Sequence, residues 1–402
     1  MKNNIRIFVT NNFITTLGNS IFTIILMWHV YELTSSAVYT AIIGSMGHVI
    51  GFFLGPLAGV IADRSNKPLN LLIKTLYFNA IIVILLVLSI TFASENFEIV
   101  SIIILVLIRE IIFNFQYPSQ TRVLPLIVSS DLITKLIGYR SVTSNIASII
   151  GNSVAGFIIS IIGVIGGLLL NSFTFFISSL LLSFISIINS NMITKENTII
   201  KPSLKDEFLD GLKYLWNQKD IRIIAIIASL LNITSMVGPM FVVYFNDFIN
   251  AGPEFYGVFN AIIGIGSIVA GISIHKINKS FKNSTIVIVG WSILSISLLL
   301  MFFSINITVI IIIAFLLGFS LTSPNIVFSS IQILAIPDHY RGRVTTTIRS
   351  LSVSLIPLSN ILGGIIADLI GVNFVFLIAG MWQILIVIIT IKHKNIFNTN
   401  YS

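Results

Sequence analysis

The sequence predicts an all-α integral membrane protein of twelve transmembrane helices in two pseudo-symmetric six-helix halves. Three observations carry this: 55% hydrophobic and only 9% charged residues, a succession of long apolar runs, and a one-sided distribution of basic residues. A soluble chain is about 25% charged, and the mean hydropathy of +1.01 points the same way. A bilayer core needs about 20 apolar residues per helix, so 402 residues leave room for about twelve spans.

The first run, residues 8–31, follows Lys2 and Arg6. It is too long for the apolar part of a signal peptide and has no small-residue cleavage site, so it is expected to persist as the first span. Runs at 37–62, 69–93, 99–121, 137–162 and 165–188 complete the first half, and runs at 221–248, 254–275, 284–304, 307–331, 344–369 and 372–391 form the second. Between them lies the long polar stretch 189–222. Within it "SLKDEFLDGLKYLWNQ" spaces Leu204, Phe208, Leu212 and Leu215 at helical intervals among charges, the pattern of an interfacial amphipathic helix. The expected organisation is a half at 1–190, a linker at 191–220 and a half at 221–402.

Of the 23 Lys and Arg, all but Arg109 fall in loops and helix ends on the side of the N-terminus, whereas the opposite loops carry only acids, such as Glu32, Glu98, Asp247, Glu254 and Asp368. By the positive-inside rule both termini and the middle loop are expected in the cytoplasm. The formal charge of +8 is thereby explained by topology, and no continuous basic stripe suggests nucleic acid. Cysteine is absent, so neither disulfides nor thiolate chemistry enter. The chain has no G-x-x-x-x-G-K-[ST] loop, H-E-x-x-H, G-x-S-x-G or paired aspartates, which argues against an ATPase, a metal site or a membrane-embedded enzyme.

Arg109 and Glu110 lie side by side in "LVLIREIIFNF" near the expected midplane, where a charge costs roughly 2.5 to 3.5 kcal/mol. Neighbours on a helix point about 100° apart, so each is expected to need its own surroundings rather than to pair mainly with the other. Arg109 is expected to face a central cavity as a fixed positive charge. Glu110 is a candidate titrating carboxylate, and a static polar contact between helices is the alternative. His48, inside the second span, is a candidate for a proton path, with hydrogen-bonded packing as its alternative, and the same choice applies to His29.

Internal repetition supports the two halves. Residues 149–164, "IIGNSVAGFIISIIGV", align with 357–372, "PLSNILGGIIADLIGV", matching Asn152 with Asn360 and Gly156 with Gly364. The stretch "GVIADR" at 59–64 aligns with "GISIHK" at 271–276. Parallel six-helix halves with a substrate path between them suit a transporter.

The loop "GVIADRSNKPLN" resembles the G-x-x-x-D-[RK]-x-G-x-[RK] signature of the major facilitator superfamily, with Gly59, Asp63 and Arg64 matching and Asn66 in place of the second glycine. "LIREIIFNF" resembles the family's fourth-span motif by its arginine alone. "GNSVAG", with Gly151, Asn152 and Gly156, resembles the glycine-rich fifth span of its antiporters without the proline. Further segments, "YELTSSA", "EFLDGLKYL" and "IPDHYRGRVTTTIRSL", resemble the macrolide-efflux and drug:proton antiporter branch, which also holds enterobactin-type siderophore exporters. The resemblance implies the major facilitator fold and a bacterial cytoplasmic membrane location. It implies secondary active, proton-driven export of macrolide-like or other amphipathic drugs, or of an endogenous metabolite such as a siderophore. It gives Asp63 and Arg64 a place in a charge relay with Arg109 and Glu110, and Gly59, Gly151, Asn152, Gly156 and Gly364 a place in conformational packing. Asn19, Trp28, His48, Asn232, Met236 and Asn325 are the expected substrate-binding residues. Besides the bilayer and a small-molecule substrate no partner or cofactor is expected, and the chain is expected to act as a monomer.

Overall fold

A computed structural model of the protein describes residues 2–188 and 204–398, so the linker stretch 189–203 lies outside the described residues. Those described are almost all helical, and ten helices among them are long and apolar enough to cross a membrane. The first half contains α1 (Lys2–Thr34), α2 (Ala37–Arg64), α3 (Pro68–Phe92), α4 (Glu95–Phe113), α5 (Gln116–Ile127) and α6 (Ser130–Ser183). At 1.5 Å per residue the 54 residues of α6 would run far beyond a hydrocarbon core of about 30 Å. The helical conformation is interrupted at Gly163, with φ 72° and ψ 179°, which divides α6 into the expected fifth and sixth spans. The fourth span is α4 plus α5. With these two adjustments the architecture is consistent with twelve spans.

The break between α4 and α5 has a local cause. Pro118 has no N–H to give the carbonyl of Asn114, so one helical hydrogen bond is missing at this point. Its continuation past the break carries the fourth span to Ile127, beyond the expected end at 121. The eleventh span is broken in the same way, between Asp338–Val353 and Leu355–Ile370, with Pro357 in the third position of the later helix.

Of the described residues, those within Met1–Ser35, Ile43–Ile200 and Gly252–Gly257 form one compact unit, and those within Ser36–Ile42, Lys201–Ala251 and Val258–Ser402 form another. In the first, two rows of asparagines hold α1 in register. Asn4 donates to the carbonyls of Ile127 (3.1 Å) and Ser186 (2.7 Å), and Asn11 donates to that of Ser178 (3.0 Å). On the adjoining face Asn12 donates to Ser144 Oγ (2.8 Å) and to the carbonyl of Arg140 (3.2 Å). Such interhelical bonds are worth about 0.6 kcal/mol each in a membrane. Their value lies in fixing which face of α1 meets which helix. An apolar cluster around Phe8, Leu72, Val123 and Phe175 fills the space beside the first row.

In the second unit Trp291, Phe328, Ile386 and Phe397 belong to a buried apolar cluster. The amphipathic stretch forms the helix Leu204–Asn217 and rests on Asp338–Val353, with Tyr214 stacked on Tyr340 at 4.1 Å and Arg343 3.6 Å from Asp210.

The repeated glycines occupy matching positions. A Cβ on Gly156 would overlap the carbonyl oxygen of Pro253 in the first unit. One on Gly364 would lie 2.8 Å from Cα of Val38 in the second. In each case the fifth or eleventh span admits the backbone of a helix just beginning, and only a missing side chain permits that approach. Gly59, by contrast, has open space around it. Gly156→Ala is therefore expected to lower the thermal unfolding midpoint of the purified protein by several degrees, and Gly59→Ala to leave it unchanged.

Candidate functional site

The first unit holds an open cavity of about 510 Å³ bounded by α1, α2, α4, α5 and the first part of α6. Its wall is unusually polar for the interior of a membrane protein. From α1 come Asn12, Thr15, Thr16 and Asn19, and from α2 come Gly44, Gly47 and His48. The broken fourth span supplies Glu110, Asn114, Gln116, Tyr117 and Gln120, and α6 supplies Arg140 and Ser144. The turn between α4 and α5 falls beside this cavity, and Asn114 within it is one of the lining residues.

Arg109 does not line this cavity. It is 1% exposed and lies behind the wall, its guanidinium 3.8 Å above the ring of Phe22 and within 5.6 Å of the rings of Phe113 and Phe175. Its Nη2 donates to Asn19 Oδ1 and its Nη1 to Glu110 Oε1. This corrects two expectations. Arg109 is buried rather than cavity-facing, and Glu110 is its ion partner. The 100° between neighbouring positions describes the Cβ directions, and the long arginine side chain carries its charge far enough to close that angle. Glu110 consequently faces two ways, holding Arg109 while its carboxylate borders the cavity. Gly47 makes the room, since a Cβ there would lie 2.9 Å from Glu110 Oε2. His48 lines the same cavity one residue away.

The structure thus brings together Asn19, His48 and Glu110 at the cavity, with Arg109 behind them. Other expected residues lie elsewhere. Trp28 is buried, donates to Glu32 at 2.7 Å and stacks on Tyr256 with ring centroids 6.3 Å apart. Asp63 and Arg64 are exposed at the end of α2. Gly151 lies where α6 meets α1, and a Cβ there would be 2.7 Å from that of Ser20; Asn152 beside it is half-buried. In the second unit Met236 is buried against Gly363, Asn232 is half-buried and Asn325 is exposed on Ile307–Leu334. None of these lines the cavity.

Sequence reasoning missed Gln116, Gln120 and Arg140. Gln116 and Gln120 stand one helical turn apart in "QYPSQ", and the proline beside them was the available signal. It also missed two acids with partners. His29 Nε2 lies 2.8 Å from Glu98 Oε1. Asp368, though exposed, accepts hydrogen bonds from Ser36 Oγ and Ala37 N, both at 2.6 Å, capping the start of α2 from another helix.

Residues 1–399 match a family model described as transmembrane secretion effector. Macrolide efflux protein A of Streptococcus pyogenes is 21% identical over 382 residues, which cover 94% of this chain and 92% of the relative. The staphyloferrin A transporter of Staphylococcus aureus is 25% identical over 390 residues, 96% of this chain and 94% of the relative. The crystal structure of the nucleoside transporter NupG superposes with a TM-score of 0.75 at 14% identity, covering 100% of both chains, which shows a shared fold.

Removing one member of a buried ion pair costs about 3 to 5 kcal/mol, because the other is left uncompensated, whereas replacing both with apolar groups of similar volume is close to neutral. Glu110→Ala is accordingly expected to destabilise the purified protein by about that amount in thermal unfolding. The double variant Arg109→Met with Glu110→Leu is expected to recover most of the loss.

Proposed function

The chain belongs to the transmembrane secretion effector family of the major facilitator superfamily, a family of multi-pass membrane transporters, and from that premise we propose that it is a secondary active exporter driven by proton entry. The observation that carries the reading is Glu110, the one carboxylate among the cavity residues, ion-paired to a guanidinium sealed behind the wall. A carboxylate so placed can be reached by protons and substrate from the cavity, while its counter-ion cannot follow it into water. Protonation breaks the ion pair and leaves Arg109 uncompensated, so proton binding and the arrangement of α1, α2 and α4 are linked. His48 stands beside it as a proton relay, and Asn19 holds Arg109 in place through the change.

The energetics suffice. One charge crossing a potential of about 100 mV provides roughly 2.3 kcal/mol, more than the approximately 1.4 kcal/mol that a tenfold gradient requires. Alternating access about the glycine contacts of the fifth and eleventh spans moves the substrate, and Asp63 and Arg64 at the end of α2 contribute to a charge relay that latches the halves. The protein works as a monomer in the bacterial cytoplasmic membrane with both termini inside.

The cargo is a small molecule. Likeness to a macrolide efflux protein supports macrolide-like or other amphipathic drugs. A second reading, export of an endogenous metabolite such as a siderophore, is favoured by the polar lining of the cavity and by likeness to the staphyloferrin A transporter. Efflux from cells expressing the protein, followed for a macrolide, a cationic dye and secreted metabolites, tests the mechanism. Wild-type efflux should collapse with a protonophore, and Glu110→Gln should lose active efflux by at least about tenfold while still exchanging substrate across the membrane. Undiminished pumping by Glu110→Gln would refute proton coupling at this residue.

A further inference from the structure

The charges around the cavity do not balance. Glu110 is already neutralised by Arg109, which leaves Arg140 as the charged side chain of the lining without a counter-ion. Among the described residues no carboxylate is paired with Arg140. Its guanidinium lies 4.8 Å from the ring centroid of Tyr117, another residue of the wall. A stacked guanidinium is held in its plane but keeps its N–H donors for a ligand. Beside Tyr117, Gln116 is only 4% exposed, lines the same cavity, and its amide Nε2 has no hydrogen-bond partner. A buried amide donor left unsatisfied costs free energy, and turning the amide over exchanges its oxygen and nitrogen and brings that donor to the cavity side. Gln120, one turn further along α5, adds a second amide.

We propose that Arg140, Gln116 and Tyr117 form a subsite for the carboxylate of an organic anion, the acidic group of the transported molecule. The guanidinium fork matches the two oxygens of a carboxylate, and the glutamine amide supplies a further donor. The cavity volume of about 510 Å³ admits a ligand of drug-like size. Positive charge at this end and the neutralised Glu110–Arg109 pair at the other disfavour a cation at Arg140 and leave Glu110 free to exchange a proton. The assignment rests on the reading of this cavity as the transport site.

The test is binding by the purified full-length protein in detergent, without any gradient, followed by calorimetry and thermal shift with citrate, glutarate and ethidium. Citrate or glutarate should bind the wild type and raise its unfolding midpoint. Arg140→Ala should weaken that binding by about tenfold or more. Arg140→Lys, which keeps the charge and loses the fork, and Gln116→Leu should fall between, so the result does not hang on one variant folding. Failure of the wild type to bind either carboxylate at about 10 mM, or undiminished binding by Arg140→Ala, overturns the subsite. The exporter reading fails separately. If the carboxylates bind as expected but cells expressing the protein show no protonophore-sensitive efflux of any tested molecule, the subsite stands and the transport assignment falls. If wild type and Arg140→Ala bind the carboxylates equally while protonophore-sensitive efflux of a drug is intact, the subsite falls and the exporter remains.

Discussion

A guanidinium sealed inside a membrane helix has to be neutralised by its surroundings, and in this protein the surroundings of Arg109 define one end of the cavity. Asn19 and Phe22 of α1, Phe175 of α6 and Glu110 and Phe113 of α4 all meet it. The order of these helices is therefore tied to one charge. Burying a lone cation would cost several kcal/mol, whereas a cation with a carboxylate, an amide oxygen and an aromatic face is tolerable. The arrangement also leaves little slack, since any event that removes the charge of Glu110 leaves Arg109 without its counter-ion.

The rest of the site follows from making room for that carboxylate and for a ligand. Gly47 gives Glu110 its space, and Gln116, Tyr117 and Gln120, which follow the interruption of the fourth span, border the cavity together with Arg140 of α6. The asparagines of α1 serve both ends of this arrangement. Asn4 and Asn11 fix the helix against its neighbours, and Asn12 and Asn19 lie on the face that borders the cavity. Seven-residue spacing within each pair places its members on one side of the helix, so a single element carries a structural row and a functional one.

The fold was largely legible because apolar length and the placement of basic residues are strong signals in a bilayer, where every span must satisfy its own backbone. Positions at which a helix must break were harder to read. The fourth and eleventh spans look continuous by hydropathy, and each is interrupted a few residues before a proline, Pro118 or Pro357. Arg109 and Glu110 stood out as charges in apolar surroundings, yet their pairing did not, since backbone geometry says where a side chain starts and not where a long one ends. Gln116 and Arg140 were overlooked for the opposite reason. Polar residues toward the ends of spans are ordinary, and only three-dimensional placement distinguishes those bordering a cavity from those facing water. Trp28, Asn232, Met236 and Asn325 were reasonable as polar or aromatic handles on expected cavity helices, but a helix presents several faces, and theirs lie away from this cavity.

Proton coupling through this pair requires Glu110 to change its protonation in the folded protein. Infrared difference spectroscopy of the purified wild type and of Glu110→Gln, recorded between mildly acidic and mildly alkaline pH in a lipid environment, observes this directly. On acidification the wild type should gain the carbonyl stretch of a protonated carboxylic acid shielded from water, and Glu110→Gln should lack that band. Identical difference spectra for the two proteins would mean that Glu110 stays ionised against Arg109 throughout, and the pair would then be a structural tie with no part in coupling.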